Sequence, residues 1–465
     1  MLSAGNFAGI LDLSGEQETS MKVLVAMSGG VDSSVAAAML VEQGHEVVGV
    51  TLRLWGGAGD SGCCSLADVE DARRVARTLG IVHHVIDESE VFTEKVVVPY
   101  IEAHAAGITP NPCIECNRHI KFRSLLERAA RLGYDAVATG HYARVQSLGA
   151  FLASHNGNQS SDALPSDPLV SHAHHVLLRG VDPLKDQSYV LSSLTQKELA
   201  SVMFPIGEIT KEEVRKIAAS MRLATAAKPD SLDVCFVASH EGRRGFLSRY
   251  IDLHPGDLVD AQTAEIVGKV DAVELLTPGQ RKGLGLDKTT GRRRYALSVD
   301  VTGRKVTIGT AEQARESGVE LRDVTWTAGN ALDGALDGAS CHVTSESVVS
   351  VSCGYHAGVW PSAWPSAGMA TDDVLMTATR SASRPDMSDE TPSNGSGSAV
   401  SSRYMKVLVQ TSAHGRVRSA RYHDGKIFYE NPEQIVSPGQ TVAMYSIEYP
   451  EMVVGSGIVS QGMPL

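Results

Sequence analysis

The sequence predicts an α/β protein: a doubly wound, Rossmann-like parallel sheet, then a small β-rich central domain and a C-terminal antiparallel β-barrel. Three observations predict it. Apolar, β-branched runs alternate with helical patterns from Lys22 to about Gly140; the pattern turns strand-like after about residue 239; and the tail from Met405 to Ile458 alternates apolar and polar residues between turns. Strand–helix alternation gives βαβ units and a parallel sheet, whereas short alternating strands between turns close into a barrel.

The elements follow in order. KVLVAM (22–27), EVVGVTLRLW (46–55), VHHVID (82–87) and DAVATG (135–140) read as buried strands, and SSVAAAMLVEQG, ADVEDARRVARTLG and KFRSLLERAARLG as the helices between them. Ligands of such sheets sit at the carboxyl ends of the strands, beside a switch in strand order. Residues 150–175 are rich in Ser, Asn, Asp and Pro and read as a surface insertion; their HAHH cluster lacks a third partner at metal-ligand spacing. Helical patterns return at TQKELASVMF and TKEEVRKIAAS, and turns follow at HPGD, PGQ and VTGRK. KVLVQTS, KIFYEN, QTVAMYS and EMVVGSGIV supply barrel strands. The expected domains are a disordered leader over 1–20, a catalytic α/β domain over 21–238, a central domain over 239–312 and a barrel domain over 313–465. The last carries a flexible Ser-, Gly- and Asp-rich insertion at about 334–402.

The chain has 465 residues, 43% hydrophobic and 21% charged, so wholesale disorder is excluded. Its 42 basic and 54 acidic residues leave a formal charge of −12, which excludes a generally basic nucleic-acid coat but not a local basic groove. No run approaches the ~18 apolar residues of a membrane span. The N-terminus has no basic, apolar pattern of a signal peptide, and seven cysteines is an odd number. Both point to a reducing, cytoplasmic setting with thiols that are free, catalytic or metal-bound.

The strongest motif is Ala26-Met27-Ser28-Gly29-Gly30-Val31-Asp32-Ser33-Ser34, between a strand and a helix. Two glycines let backbone approach a phosphate, the serines add hydroxyls, and the helix start presents N–H groups and a positive dipole end. Asp32 could position a Mg²⁺ on the same phosphates. The lysine of an ordinary P-loop is missing. A second motif, Asn111-Pro112-Cys113-Ile114-Glu115-Cys116, puts a C-x-x-C pair on a Pro-bounded loop before a helix, where the helix dipole, Arg118 and Lys121 favour a thiolate. Cys63-Cys64 are adjacent and complete no zinc ribbon with it. Cys235, between Val and Phe, reads by itself as a small core residue.

SGGVDSS resembles the signature of the PP-loop ATP pyrophosphatases. The further strings GCCSLADVEDARRVARTLGI, TPNPCIECNRHIKF, ATGHYAR, LKDQSYVL, KPDSLDVCFV, GQRKGL and SPGQTV extend the resemblance, from about Met21 to Ile458, to the tRNA-specific 2-thiouridylases. The resemblance implies a tRNA-uridine 2-sulfurtransferase that adenylates the C2 oxygen of the wobble uridine with ATP and Mg²⁺ and replaces it with persulfide sulfur. It implies ATP binding by Ala26, Met27, Ser28, Gly29, Gly30, Val31, Asp32 and Ser33, with Leu52 and Gly140. Asn111, Pro112 and Cys113 would lie against the target base. His141, Lys185, Asp186, Gln187 and Gln440 would contact tRNA. Cys235 would carry the persulfide and Cys116 would complete sulfur release, leaving a Cys116–Cys235 disulfide, with Asp32 serving adenylation. Implied partners are the tRNA anticodon stem-loop, a persulfide sulfur donor protein and a thiol reductant, and no membrane.

The chain departs from the family pattern at three places. Cys113 stands where the family often has Asp; an expected Arg-Tyr pair is matched literally by Arg403-Tyr404 while the surrounding pattern aligns better with Ser412-Ala413, and neither is carried over; and Val270 and Ala272 replace an expected His and Gly. Arg281, Lys282 and the Arg292–Arg294 run are candidates for the phosphate-contacting surface. Three sulfur routes stay open: direct persulfide attack, hydrosulfide released by Cys116, or a 4Fe–4S cluster on Cys113, Cys116 and Cys235. A PP-loop amidotransferase or ligase is a further alternative; it accounts for SGGVDSS but not for Cys116, Cys235 or the barrel.

Overall fold

The computed structural model describes residues 20–55, 65–155, 170, 173–230, 234–237, 240–284, 293–329 and 404–465. Cys63, Cys64, most of the 150–175 stretch, the leader before Ser20 and the 334–402 insertion lie outside them.

Five parallel strands form the first sheet in the order β3-β2-β1-β4-β7: β1 (Lys22–Ala26), β2 (Glu46–Arg53), β3 (Val82–Asp87), β4 (Ala136–Thr139) and β7 (Val202–Met203). Helix α1 (Val31–Glu42) is buried along most of its length, and its alanines permit close packing on the sheet. Helix α2 (Leu66–Leu79) buries only Val69, Ala72, Val75 and Ala76; its start is fixed by a capping box between Ser65 and Asp68. The chain leaves β1 toward β2 and returns to β1's other side as β4. The switch point therefore lies between the carboxyl ends of β1 and β4. The TQKELASVMF segment is helical only over Gln196–Leu199; its apolar end becomes the edge strand β7.

The central domain is a four-stranded sheet, β10-β11-β8-β9, from β8 (Gly256–Asp260), β9 (Ile266–Val270), β10 (Tyr295–Asp300) and β11 (Lys305–Gly309). Six strands then close a barrel: β12 (Arg315–Trp326), β15 (Lys426–Gln434), β14 (Arg418–His423), β13 (Met405–Gln410), β16 (Thr441–Tyr445) and β17 (Met452–Met463). Closure comes from β12, which pairs with β15 on one side and β17 on the other and so removes both open edges.

The barrel sheet does not stop at the barrel. Strand β17 also pairs with β6 (His175–Arg179), through Met452 with Leu178 and Val453 with Leu177, and β6 pairs with β5 (Ala143–Ser147). A hairpin of the α/β domain thus extends the barrel sheet. The helix Leu148–His155 follows β5 and buries Phe151 completely in the barrel core, as does Val170. The polar composition of 150–175 pointed to a surface stretch, but these apolar side chains cover the barrel beside Tyr449. Among the described residues no helix is long and apolar enough to cross a membrane.

Among the described barrel strands one acidic side chain is buried. Glu316 of β12 is 3% exposed, and its Oε1 accepts the Val436 N–H at 3.0 Å. Burial pushes its carboxyl up to about 8, against the pull of that single hydrogen bond. The unfolded chain releases this proton near the ordinary value of 4.5, whereas the folded barrel retains it to about 8. Glu316 therefore lowers stability progressively as pH rises through that window. Glu316→Gln is expected to remove this slope and to melt at a higher temperature than the unsubstituted protein at pH 8, by thermal unfolding at pH 6 and 8. An unchanged slope contradicts the assignment.

Candidate active site

At the switch point a cavity of about 520 Å³ opens. Its floor is the carboxyl ends of β1, β2 and β4 and the residues that follow β1 and β4: Ala26 to Ser28 with Gly30 to Ser33, then Thr51 and Leu52, then Thr139 to His141. Its walls bring in Pro112, Cys113 and Cys116 from one segment, Lys185 to Gln187 from a second, and Lys228 to Asp230 with Cys235 from a third.

The loop after β1 suits a phosphate. Gly29 has φ of +72°, and a Cβ there would come within 2.3 Å of the Asp68 carbonyl oxygen. A Cβ at Gly140 would meet the Ser33 backbone nitrogen at 2.5 Å, so the end of β4 lies directly against the start of α1. The Ser33 hydroxyl receives the Ser28 N–H at 3.1 Å and holds the loop closed. No side chain caps the first turn of α1, leaving its N–H groups available to an anion.

Cations reach the loop from distant sequence. Lys228 Nζ donates to the Gly29 carbonyl oxygen at 2.9 Å and to Asp68 and Asp71 of α2 at 2.6 and 2.7 Å. Burial opposes its charge, yet the two carboxylates outweigh that and leave its pKa raised. Lys211 Nζ donates to both oxygens of Asp32, at 2.7 and 2.9 Å, and lies 2.8 Å from Asp230. Tyr142 OH also donates to Asp32, at 2.6 Å; burial and that carboxylate push its pKa up. Asp230 further pairs with Lys185 at 2.7 Å and Arg215 at 2.9 Å, and although burial works the other way Lys185 and Lys211 hold its carboxyl down at about 2.

This network changes the reading of Asp32. Both of its oxygens are engaged by Lys211 and Tyr142, so it is an anchor for those groups and does not fit a dedicated Mg²⁺ ligand. Lys228 lines the cavity beside the loop whose motif lacks a lysine, whereas Lys211 holds Asp32 and Asp230 from outside the cavity lining. Lys228 stood inside the quoted string KPDSLDVCFV, but nothing in the sequence tied it to residue 29; Lys211 opens an ordinary amphipathic helix, Lys211–Ser220, with no distinguishing mark.

The cysteines lie on the opposite wall. Asn111 caps the turn Pro112–Cys116, its Oδ1 accepting the Cys113 N–H at 3.2 Å, and the chain continues helically through a π-wound Asn117–Ser124 into Leu125–Arg131. Cys113 is exposed, Cys116 is buried and Cys235 is half-buried. Cys116 belongs to an apolar cluster with Leu52, Phe92 and Val96, and Cys235 packs against that same cluster. Beside it, Phe236 is held by Phe92, Tyr100 and Phe246 at ring separations of 5.2 to 5.7 Å, which fixes the backbone that carries Cys235. The expected aid from Arg118 is spent nearby: Arg118 and His119 lie 3.9 and 3.2 Å from Glu115 and, against its burial, keep that carboxyl below its ordinary value. The three cysteines share one cavity, yet among the described residues no group of three or more His, Cys, Asp or Glu side chains is arranged to hold a metal ion. The cluster reading is therefore not favoured.

The residues expected to meet tRNA divide. Lys185 and His141 line the cavity, but burial, aided by Lys121, drives the His141 pKa well below its usual value. Its Nδ1 lies 2.7 Å from Thr139 Oγ1 and its ring packs on Phe122 and Phe204, so it is a neutral group. Asp186 is spent inside the protein, accepting from Arg179, Gly180 and Ser188. Gln187 Oε1 accepts the Tyr142 N–H at 3.0 Å. Gln440 Nε2 donates to the Thr109 carbonyl, so it positions the 109–113 segment from the barrel side. Arg281, Lys282 and Arg293 are exposed, whereas Arg294 is paired with Asp260 at 2.8 Å and Arg292 lies outside the described residues.

Comparison with known proteins agrees with this arrangement. The family described as tRNA methyl transferase HUP domain matches residues 21–239, and that described as tRNA methyl transferase PRC-barrel domain matches 244–310. A tRNA-specific 2-thiouridylase MnmA of Saccharopolyspora erythraea is 44% identical over 324 residues, 68% of this chain and 83% of that protein. One of Roseiflexus castenholzii is 44% identical over 321 residues, 68% of this chain and 84% of its own. Among solved structures, the U34-tRNA thiolase NcsA of Methanococcus maripaludis aligns with a TM-score of 0.28 and 16% identity, over 47% of this chain and 63% of that one. Identity at this level over most of the relatives' length, with the phosphate loop and the cysteine segments meeting at one switch point, makes this chain a member of the tRNA-specific 2-thiouridylase family.

Proposed function

We propose that the chain converts the wobble uridine of tRNA to 2-thiouridine by adenylating its C2 oxygen with ATP and then exchanging that oxygen for persulfide sulfur. One observation carries the reading: the phosphate loop and three cysteines line a single cavity. The C2 oxygen is a poor leaving group. Attack by that oxygen on the α-phosphorus of ATP expels pyrophosphate and turns the oxygen into part of AMP, which departs readily. The N–H groups at the start of α1, with Lys228 at the cavity wall, are suited to stabilise the phosphate charge that develops. Magnesium, in this reading, enters on the phosphates of ATP.

Sulfur then arrives from Cys235, loaded as a persulfide by a donor protein. Its terminal sulfur bonds to C2, Cys116 attacks the sulfur–sulfur bond, and AMP leaves. The sulfane sulfur is reduced to the sulfide level while Cys116 and Cys235 are oxidised to a disulfide, which a thiol reductant reopens. If hydrosulfide is freed first, the same atoms and electrons are exchanged in another order. The apolar cluster around Cys116 and Cys235 excludes water, protecting both the activated uridine and the persulfide from hydrolysis. A stacked wobble base must be splayed out to reach this depth. Asn111, Pro112 and Cys113 flank its path, and exposed Arg281, Lys282 and Arg293 offer phosphate contacts on the central domain.

Incubation with tRNA, ATP and a persulfide source is expected to give 2-thiouridine at the wobble position by nucleoside mass spectrometry, with AMP and pyrophosphate in equal amounts. ADP as the main product rejects the reading. Lys228→Ala is expected to raise the KM for ATP about tenfold or more, the scale of one charge-assisted contact, and to change tRNA affinity far less. Equal loss of both affinities in steady-state and filter-binding measurements contradicts a phosphate role for Lys228.

A further inference from the structure

We infer that Cys113 is a third redox-active thiol, which moves the disulfide left by sulfur transfer from the buried wall of the cavity to its exposed mouth. The relay rests on the two-cysteine chemistry proposed above. Its basis is a gradient of exposure across three thiols in one cavity: Cys235 half-buried, Cys116 buried, Cys113 exposed. A Cys116–Cys235 disulfide would form inside the apolar cluster that both side chains join. A protein reductant must bring its own sulfur into line with such a bond, and the cluster denies it that approach.

Cys113 lies three positions before Cys116 on the turn Pro112–Cys116, and residues three apart share one helical face. Their Cβ atoms in a regular helix are about 5–6 Å apart, against about 4 Å in a disulfide, so the turn must tighten by roughly 1–2 Å. Cys113 stands in the first turn, directly after Pro112, where no preceding turn of helix resists that movement.

The exchange is balanced without a co-reactant. Cys113 gives up its proton to solvent, and its thiolate attacks the Cys116 sulfur. The Cys113–Cys116 bond forms as the Cys116–Cys235 bond breaks, and the electron pair leaves on the Cys235 sulfur, which takes up a proton. Cys235 is then ready for another sulfur while an external dithiol reduces the exposed Cys113–Cys116 bond by two electrons.

Two measurements on the full-length protein test this. The first is oxidation with one equivalent of diamide, alkylation, and peptide mapping of the disulfide. The unsubstituted protein is expected to hold Cys113–Cys116, and Cys113→Ser to hold Cys116–Cys235; a Cys116–Cys235 bond in the unsubstituted protein overturns the relay. The second is turnover with two reductants. Cys113→Ser is expected to run about tenfold slower than the unsubstituted protein with a protein dithiol, and the gap is expected to narrow severalfold with dithiothreitol, which is small enough to enter. The same deficit with both reductants, or none with either, overturns it. Absence of 2-thiouridine from the unsubstituted protein counts instead against the proposed function, and the disulfide map still decides the relay.

Discussion

The Asp32 carboxylate is the interaction on which the site depends. It holds Tyr142 from the turn after β4 and Lys211 from the start of a later helix, and Lys211 in turn reaches Asp230, five residues before Cys235. Three segments far apart in sequence are thus tied, directly or through Lys211, to one half-buried carboxylate at the start of α1. The Lys211 side chain is only 11% exposed, so its charge is satisfied by these carboxylates more than by water. The loop after β1 and the segment that bears Cys235 are thereby tied together, as the proposed two-step reaction on one base requires.

A second constraint comes from the barrel. Its strand β17 continues into the hairpin β5–β6 of the α/β domain, and Arg179 at the end of β6 reaches both Asp186 and Gln410 while lying over the ring of Tyr445. Thr109, just before the cysteine turn, is bonded by Pro438 and Gln440 of the barrel domain and by Thr277 of the central domain. The segment that leads into the Pro112–Cys116 turn is positioned by all three domains. Residues that looked like tRNA contacts, Asp186 and Gln440, belong to this scaffold.

How much of this was legible follows from the physics of each signal. Strands β1, β2 and β4 were readable because a sheet covered on both faces demands apolar runs; VHHVID forms the strand expected but, at the sheet edge, is largely exposed and not buried. The hairpin β5–β6 was missed: its strands are short and separated by a polar stretch, although Phe151 is anchored in the barrel core. Strand β12, RESGVELRDVTW, hides its alternation behind charges, and its Glu316 is buried where the pattern asks for an apolar residue. The phosphate loop and both C-x-x-C cysteines were visible as motifs, because close backbone approach and thiol chemistry restrict the residue types that serve. Lys211, Lys228 and Tyr142 were not, since their meaning lies in partners up to 199 positions away. For the same reason Asp32 read as a metal ligand, until its tertiary partners Lys211 and Tyr142 took up both oxygens.

The proposed chemistry requires ATP and sulfur to act in succession on the same carbon–oxygen bond. The most direct measurement follows that oxygen. With tRNA carrying oxygen-18 at C2 of the wobble uridine, the AMP released in a single turnover is expected to carry the label in its phosphate, one atom for each 2-thiouridine formed. Unlabelled AMP alongside 2-thiouridine would show that ATP activates some other atom, and would contradict the account.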